Sequence, residues 1–219
     1  MLECAGERPQ SAYPNTLEQG EEMAKSTRQR PDSTGQLRII GGQWRGRKLQ
    51  FTATDGLRPT TDRVRETLFN WLMSELPSAR CLDLFAGSGA LGLEALSRGA
   101  LYCDFVERNA IAQREIRRHL TTLAATDRGV CHHDIAADFL RKLSQSHEPY
   151  NIVFLDPPFG RELIATVAAS LESQGLLARN AFIYIECATQ EELPELPGSW
   201  SLHREKTAGG VTYRLFVRP

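Results

Sequence analysis

From residue 80 onward, short runs of apolar residues alternate with longer segments whose apolar positions keep helical spacing. Five runs predict strands, at residues 81–85, 102–106, 129–131, 152–155 and 181–185. Between the second and third runs, Ala112, Ile116, Leu120 and Leu123 recur every three or four residues, which predicts a helix. Strands that alternate with helices in this way predict a parallel, doubly wound α/β sheet.

The C-terminal part breaks this alternation. Residues 200–205 and 211–218 are both strand-like, and they flank the pair Gly209-Gly210. Two consecutive glycines suit a tight turn, because glycine adopts positive φ without strain. We therefore predict an antiparallel C-terminal hairpin added to the parallel sheet.

A smaller region precedes the α/β pattern. Residues 37–51 place two glycines between short β-rich runs, which predicts a β-hairpin. Residues 60–76 carry apolar side chains along one helical face, and Thr61 or Asp62 suits the N-cap of that helix. This region is expected to form a small appendage to the α/β domain.

The first 36 residues differ in composition from the rest. They are rich in Glu, Gln, Ser, Pro and Arg and hold few large apolar side chains, so they cannot offset the entropy lost on folding. The chain is therefore predicted to divide into a disordered polar tail (1–36), a basic hairpin and helix (37–76) and an α/β domain (77–219).

Length and composition further restrict the class of protein. A chain of 219 residues has room for one full α/β domain. Its five cysteines are scattered without the paired spacing of a zinc or redox motif, so we expect buried thiols in a reducing compartment and no metal site. The polar start does not resemble a secretory signal, and no apolar run is long enough to span a bilayer. A cytoplasmic protein is expected.

The first predicted strand leads into a glycine-rich turn. Asp83 lies inside the end of the strand, and Gly87, Gly89 and Gly92 follow with the spacing G-x-G-x-x-G. Glycines at this position let a cofactor approach the backbone. Glu107 ends the next strand about 20 residues later, where an acceptor for the ribose of an adenosine cofactor is expected. The pattern is compatible with NAD or with S-adenosylmethionine.

Three features favour S-adenosylmethionine. The carboxylate of Asp83 would repel the pyrophosphate of a dinucleotide but would pair with the amino group of a sulfonium cofactor. The loop also lies more than a third of the way along the chain, which leaves few residues for the substrate domain of a dehydrogenase. Finally, a second motif, at residues 156–159, has no role in hydride transfer.

That second motif is an apolar strand that ends in Asp156, Pro157, Pro158 and Phe159. Paired prolines fix φ and remove two amide donors, so that the Asp156 side chain and the Pro157 carbonyl can both act as acceptors in a rigid pocket. An exocyclic amine of a base has two protons to donate to such acceptors. Phe159 supplies a flat surface for base stacking. We interpret these four residues as the catalytic motif.

A local excess of positive charge lies in the appendage, although the formal net charge of the whole chain is only -1. Phosphate contacts are the expected use of these cations, and an aromatic residue among them is expected to stack on an unpaired base. The predicted RNA-binding residues are Arg38, Trp44, Arg45, Arg47, Lys48, Arg58, Arg63 and Arg65. Some of the arginines among Arg58, Arg63 and Arg65 are instead expected to approach the carboxylate of the cofactor, and the pattern does not divide the two roles.

Four runs together resemble one known family. They are RIIGGQWRGRKL from Arg38, RPTTDRVRETLFNWL from Arg58, DLFAGSGALGLEALSRGA from Asp83 and DPPF from Asp156. These runs are similar to those of the bacterial 16S ribosomal RNA guanine-N2 methyltransferases of the RsmD type. The resemblance extends from about residue 37 to residue 218 and leaves out the tail.

The resemblance implies a Rossmann-like class I methyltransferase fold, guanine N2 as the acceptor and 16S rRNA in a small ribosomal subunit, or a late assembly intermediate of it, as the substrate. The enzyme is expected to be monomeric and to have no membrane partner. By motif, the glycine loop and Asp83 hold the methionine end of the cofactor, Glu107 the ribose and Asp134 the adenine. The complete set of expected cofactor residues is Asp83, Phe85, Gly87, Gly89, Glu107, Asp134 and Ile135.

Two alternatives stay open at this point. A DNA adenine-N6 or cytosine-N4 methyltransferase also presents an Asp-Pro-Pro-aromatic loop to an exocyclic amine, although it usually needs a separate target-recognition domain. An NAD-dependent oxidoreductase remains compatible with the glycine spacing alone.

Overall fold

The computed structural model describes residues 34–52, 60–143, 147–158 and 161–219. Most of the predicted tail, together with Arg58 and Phe159, lies outside the described residues. Within the described part of the chain, no helix is long and apolar enough to cross a membrane.

The hairpin that was predicted for residues 37–51 is present. Strands β1 (Thr34–Arg38) and β2 (Lys48–Thr52) pair antiparallel, with Leu37 opposite Leu49, and a short 3₁₀ turn (Gly42–Trp44) lies between them. The leucines alternate with exposed polar residues, which places one face of the hairpin against the core.

The hairpin begins earlier than predicted. The expected boundary between residues 36 and 37 falls inside β1, because Thr34, Gly35 and Gln36 continue the ladder with β2. Gly35 lies opposite Phe51, and a Cβ at Gly35 would approach the Phe51 ring to 2.4 Å. The missing side chain therefore makes room for that ring, which explains why a polar stretch still pairs here.

Helix α1 (Asp62–Trp71) follows, and its predicted start is confirmed. The Thr61 hydroxyl accepts a hydrogen bond from the amide of Val64, as an N-cap residue does. The helix ends five residues before the predicted Leu76, and Leu72 is its C-cap. Beyond the helix end, Leu72 and Leu76 stay buried, and Pro77 disfavours helical backbone at Leu76.

The centre of the molecule is a seven-stranded sheet. Its strands are β3 (Arg80–Asp83), β4 (Tyr102–Glu107), β5 (Gly129–His133), β6 (Tyr150–Leu155), β7 (Leu177–Ala188), β8 (Ser201–Ala208) and β9 (Val211–Arg218). The spatial order is β5-β4-β3-β6-β7-β9-β8. The first five strands are parallel, and β8 and β9 form the antiparallel hairpin that the glycine pair predicts.

Helices cover both faces of this sheet, as a doubly wound fold requires. They are α2 (Ala90–Ser97), α3 (Ala110–Thr122), α4 (Ala136–Lys142) and α5 (Arg161–Ser173). The alternation along β6 separates two cores. Phe154 packs in a cluster with the hairpin, α1, α2 and α3, whereas Val153 and Leu155 pack in a second cluster with α4 and α5.

One buried carboxylate joins the hairpin, α1 and α2. The side chain of Glu94, in α2, is 0% exposed. It accepts hydrogen bonds from the amide of Ile40 at 2.9 Å, from Arg98 Nε at 2.7 Å and from Arg65 Nη1 at 3.5 Å. Since the Ile40 amide belongs to the hairpin and Arg65 to α1, Glu94 fixes both elements against the sheet.

Replacing Glu94 with Gln should therefore destabilise the protein strongly. The amide keeps the size of the side chain but removes the charge, which leaves the buried guanidinium of Arg65 without this counter-charge. Breaking a buried ion pair in this way costs about 3 kcal/mol or more. Urea denaturation at neutral pH measures the change.

A matched control is Asp138→Asn. Asp138 pairs with Arg141 on α4, but the two side chains are 39% and 71% exposed. Such a surface pair contributes less than about 1 kcal/mol. If the two variants lost the same stability, Glu94 would not be the residue that fixes the hairpin and α1 against the sheet.

Candidate active site

A cavity of about 400 Å³ opens at the edge of the sheet where the parallel strands end. Its volume is in the range of small-molecule sites. Ligands of open α/β sheets bind at this edge, because the loops after the strands converge there. Its wall contains acidic residues from four neighbouring strands: Asp83 (β3), Glu107 (β4), Asp156 (just after β6) and Glu186 (β7).

The three glycines after β3 have separate tasks. Gly87 and Gly89 have φ of 54° and 78°, so the loop turns through backbone conformations that other residues rarely adopt, and Gly89 is the N-cap of α2. Gly92 lies in the first turn of α2, where a Cβ would approach the Phe105 ring to 2.2 Å. The third glycine thus brings α2 close to β4, while the first two shape the loop.

Asp83 is 2% exposed and accepts a hydrogen bond from the Gly92 amide at 3.0 Å. This bond satisfies one of the free N–H groups at the start of α2. Burial nevertheless raises the pKa of Asp83 to about 7, and the negative charge of Glu107 adds to this rise. A carboxylate held in such surroundings gains when a cation arrives.

Glu107 holds the glycine loop from β4. Its Oε2 accepts from the Gly87 amide at 2.8 Å, and its Oε1 accepts from the Asn109 amide at 2.7 Å. Each carboxylate oxygen can accept a second hydrogen bond. Glu107 is thus able to bind two hydroxyl donors of a ligand without releasing the loop.

Asp156 follows β6, and its Oδ2 accepts a hydrogen bond from the Thr60 hydroxyl at 3.0 Å. Leu155 pairs with Ile185 in the ladder between β6 and β7, so Asp156 and Glu186 occupy the next positions of adjacent strands. Both line the cavity. The buried hydroxyl of Tyr184 donates to Glu186 Oε2 at 2.6 Å.

This arrangement raises the pKa of Asp156 well above its ordinary value. Burial is the largest cause, the charge of Glu186 is the second, and the Thr60 hydrogen bond opposes both. Asp83 adds a smaller repulsion. The cavity therefore concentrates negative charge, which disfavours a pyrophosphate and favours a ligand that carries positive charge.

Sequence reasoning missed Thr60 and Glu186. Glu186 directly follows the predicted strand 181–185, just as Glu107 follows 102–106 and Asp156 follows 152–155. That position is a signal the sequence carries. Thr60 carries no such signal, because its contact with Asp156 spans 96 positions of the chain.

The predicted cofactor and catalytic residues are mostly brought together. Those that line the cavity are Asp83, Phe85, Gly87, Glu107, Ile135, Asp156, Pro157 and Pro158. Gly89 shapes the loop from the N-cap of α2 and is not in the lining. Asp134 is not in the lining either, since its carboxylate pairs with Lys142 at 2.6 Å and accepts from the Ile135 amide at 2.9 Å. Phe159 lies outside the described residues.

Five of the predicted RNA-binding cations are exposed: Arg38, Arg45, Arg47, Lys48 and Arg63. Two predictions need correction. Trp44 is only 8% exposed, and its ring lies under the Arg128 guanidinium at 5.3 Å, so it packs in the core and is not free to stack on a base. Arg65 is 1% exposed and binds Asp62, Glu94 and the Arg38 carbonyl, so it faces neither RNA nor the cavity.

Comparison with known proteins identifies relatives along most of the chain. The family model described as Conserved hypothetical protein 95 matches residues 37–217. Ribosomal RNA small subunit methyltransferase D of Escherichia coli (strain K12) is 51% identical over 185 residues, which are 84% of this chain and 91% of the relative. The protein of the same name from Haemophilus influenzae is 43% identical over 190 residues, with 86% and 97% covered.

Among solved structures, the putative methyltransferase yhhF from Escherichia coli is similar with a TM-score of 0.77 and 50% identity, over 84% of this chain and 98% of that one. The predicted fold class is thereby confirmed: a Rossmann-like class I methyltransferase sheet, mostly parallel, with antiparallel C-terminal strands. The DNA methyltransferase and oxidoreductase alternatives receive no support from these comparisons.

The effect of the Glu186 charge on the pKa of Asp156 is measurable without any ligand. Carboxyl ¹³C NMR titration should find the Asp156 carboxyl protonating well above its ordinary pKa of about 3.9. Glu186→Gln removes a negative charge, so the pKa of Asp156 should fall in that variant.

The matched control is Glu191→Gln. Glu191 lines the same cavity, but its charge acts on Cys187 and is not a cause of the Asp156 shift. An Asp156 pKa that is ordinary in the wild type, or that moves equally in both variants, would refute the coupling to Glu186.

Proposed function

The chain belongs to the family described as Conserved hypothetical protein 95, and we propose that it transfers a methyl group from S-adenosylmethionine to the exocyclic N2 of a specific guanine in 16S rRNA. The names of its relatives support ribosomal RNA of the small subunit as the substrate class. The choice of guanine N2 rests on the resemblance of the sequence motifs to the RsmD type. The cell compartment under this proposal is the cytoplasm, where small subunits assemble.

The acidic cavity is the observation that carries the proposal. S-adenosylmethionine supplies an electrophilic methyl group on a positively charged sulfonium and also carries an amino group. The charge of Glu107 raises the pKa of Asp83, and the charges of Glu186 and Asp83 raise the pKa of Asp156. Such a cluster fits this ligand, because its positive charge relieves the repulsion. The pyrophosphate of NAD would add negative charge to the same site.

The roles of the cofactor residues follow from the contacts described above. Asp83, held by the amide of Gly92, would bind the amino group, with the loop around Gly87 beside it. Glu107 would accept the ribose hydroxyls with the free lone pairs of its two oxygens. Phe85 and Ile135 provide apolar wall, and Ile135, 56% exposed, has a side chain available to cover an adenine ring.

Asp156 is the proposed catalytic residue. The lone pair of a guanine amine is delocalised into the ring, so the nitrogen is a poor nucleophile until its protons are held by acceptors. The Asp156 carboxylate and the Pro157 carbonyl would be those acceptors, and the proton lost from the nitrogen after its attack would pass to Asp156. Thr60 orients the carboxylate through its hydrogen bond to Oδ2. Holding the amine in line for attack supplies much of the rate.

The proposed partner is a small ribosomal subunit or a late assembly intermediate, bound by a monomer of this chain. The exposed arginines and lysine of the hairpin supply the phosphate contacts. Trp44 and Arg65 are excluded from that set because both are buried.

Replacing Glu107 with Ala should weaken S-adenosylmethionine by about 10-fold to 100-fold, since charge-assisted hydrogen bonds contribute about 1.5 to 3 kcal/mol. Calorimetry of the purified protein measures this affinity, and NAD serves as a comparison ligand that should give no binding heat. Glu107→Gln, which keeps one carbonyl oxygen, should fall between Ala and wild type. Unchanged affinity in the alanine variant would mean that the ribose is held elsewhere.

Replacing Asp156 with Ala should reduce the single-turnover rate of methyl transfer by about 100-fold or more, the scale of losing one preorganised polar group. Asp156→Asn keeps the shape and one acceptor oxygen but loses the charge, so its rate should be intermediate. Small subunits from a strain that lacks the endogenous methyltransferase are the substrate, and cofactor affinity is the control that should barely change. Near-wild-type transfer by the alanine variant would remove Asp156 from the mechanism.

A further inference from the structure

A surface of exposed, unpaired cations extends beyond the hairpin onto α3. We call it the cationic face and define it by Arg38, Arg45, Arg47, Lys48, Arg114, Arg117 and Arg118. All seven side chains are exposed, and none forms an ion pair with a residue that the structure describes. Elsewhere Lys142, Arg214 and Arg218 each meet a carboxylate.

The segments that form this face hold few carboxylates, although the chain as a whole has as many acidic as basic residues to within one. Residues 34–52 contain four cations and no Asp or Glu, whereas the whole chain has 26 cations and 27 acids. The one acid within α3 is Glu115, and its carboxylate already accepts hydrogen bonds from the Thr52 amide and hydroxyl at 3.0 Å and 2.7 Å. His119 is buried, and burial lowers its pKa. The charge on the face is therefore left for an external anion.

The hairpin and α3 present these charges as one body. Glu115 holds Thr52, and one turn further along α3 the Gln50 carbonyl accepts from Arg118 Nη2 at 2.9 Å and hydrogen-bonds His119 Nε2 at 3.0 Å. The backbone of β2 is thus bonded to α3 at two levels. The hairpin and α3 therefore need no rearrangement relative to each other when the face binds a partner, which lowers the entropy lost on binding.

The position of α3 relates the face to the active site. The helix begins at Ala110, directly after Glu107, Arg108 and Asn109 of the cavity wall. Its 13 residues span about 20 Å. The cationic face therefore runs from the rim of the cavity along the α3 side of the molecule, a length that covers several phosphates of a nucleic acid.

We propose that Arg114, Arg117 and Arg118 of α3 bind the phosphate backbone of the same rRNA whose guanine enters the cavity, and that α3 and the hairpin form one continuous phosphate-binding surface. This inference rests on the proposed function. Six of the seven cations are arginines, whose planar guanidinium groups bind phosphate oxygens in pairs. The contacts position the substrate and carry no base specificity.

The test is the double variant Arg114→Gln/Arg117→Gln. Neither side chain has a hydrogen bond or ion pair among the described residues, so folding should be spared; Arg118 is kept because it bonds Gln50. Binding to small subunits that lack the modification should weaken about tenfold at moderate salt, and the slope of log K against log salt should fall by about 2. Calorimetric affinity for S-adenosylmethionine and the single-turnover rate at saturating subunits should match wild type.

The matched control is Arg204→Gln/Lys206→Gln, which removes the same charge from β8 at the opposite edge of the sheet. Its affinity and salt slope should match wild type. Equal weakening by both double variants would mean a general charge effect and would overturn the proposal. An unchanged salt slope in the α3 variant would also overturn it.

Protein-free 16S rRNA is the second probe. The α3 variant should bind it more weakly than wild type does. A loss on subunits but not on protein-free rRNA would mean that the face contacts a ribosomal protein, which would also overturn the proposal. Failure of the wild-type protein to methylate subunits would instead refute the proposed function, and the salt slopes would still report on the phosphate contacts.

Discussion

The contact on which the rest of the structure depends is the buried carboxylate of Glu94. It receives the Ile40 amide of the hairpin and the Arg65 guanidinium of α1, and it sits on the helix whose first turn holds Asp83 through Gly92. A buried charge is tolerated only when partners from several directions satisfy it, so these elements must arrive together. Because α1 is capped by Thr61, fixing α1 also places Thr60 against Asp156. One interaction thereby couples the basic appendage to the cavity at the edge of the sheet.

The second constraint is the repulsion among the carboxylates at that edge. Folding brings Asp83, Glu107, Asp156 and Glu186 to neighbouring strand ends, where burial raises the pKa of Asp83 and of Asp156. Ionising these carboxyl groups costs free energy while the site holds no cation, and the site disfavours anions. The same arrangement that disfavours a dinucleotide leaves Asp156 with a high affinity for a proton, which suits a group that receives one from an amine. Under the proposed function, binding selectivity and catalysis thus depend on one distribution of charge, and the cations of the hairpin and α3 serve the separate purpose of binding phosphates.

Much of the fold and of the site could be predicted from sequence because the signals are local. Asp83 and Glu107 are the last residues of apolar strands, Asp156 follows a third, and the glycine pair at 209 and 210 determines the C-terminal turn. The misses arose where burial or long-range contacts decide. Trp44 and Arg65 lie in a segment with the composition of an RNA-binding arm. Trp44 is nevertheless buried under Arg128, and Arg65 is buried by its pairing with Glu94. Glu186 becomes relevant only through the register of β6 with β7. Gly35 extends the hairpin because its neighbour across the ladder is a phenylalanine.

The central claim is that this acidic cavity directs a methyl group to guanine N2 in small-subunit rRNA. The most direct measurement incubates the purified protein with isotopically labelled S-adenosylmethionine and small subunits from a strain that lacks the modification, then digests the 16S rRNA to nucleosides for mass spectrometry. The account predicts that the label appears in N2-methylguanosine, at no more than one methyl group per 16S rRNA. Label in N6-methyladenosine or N4-methylcytidine, or no label in the rRNA while the protein still binds the cofactor, would contradict it.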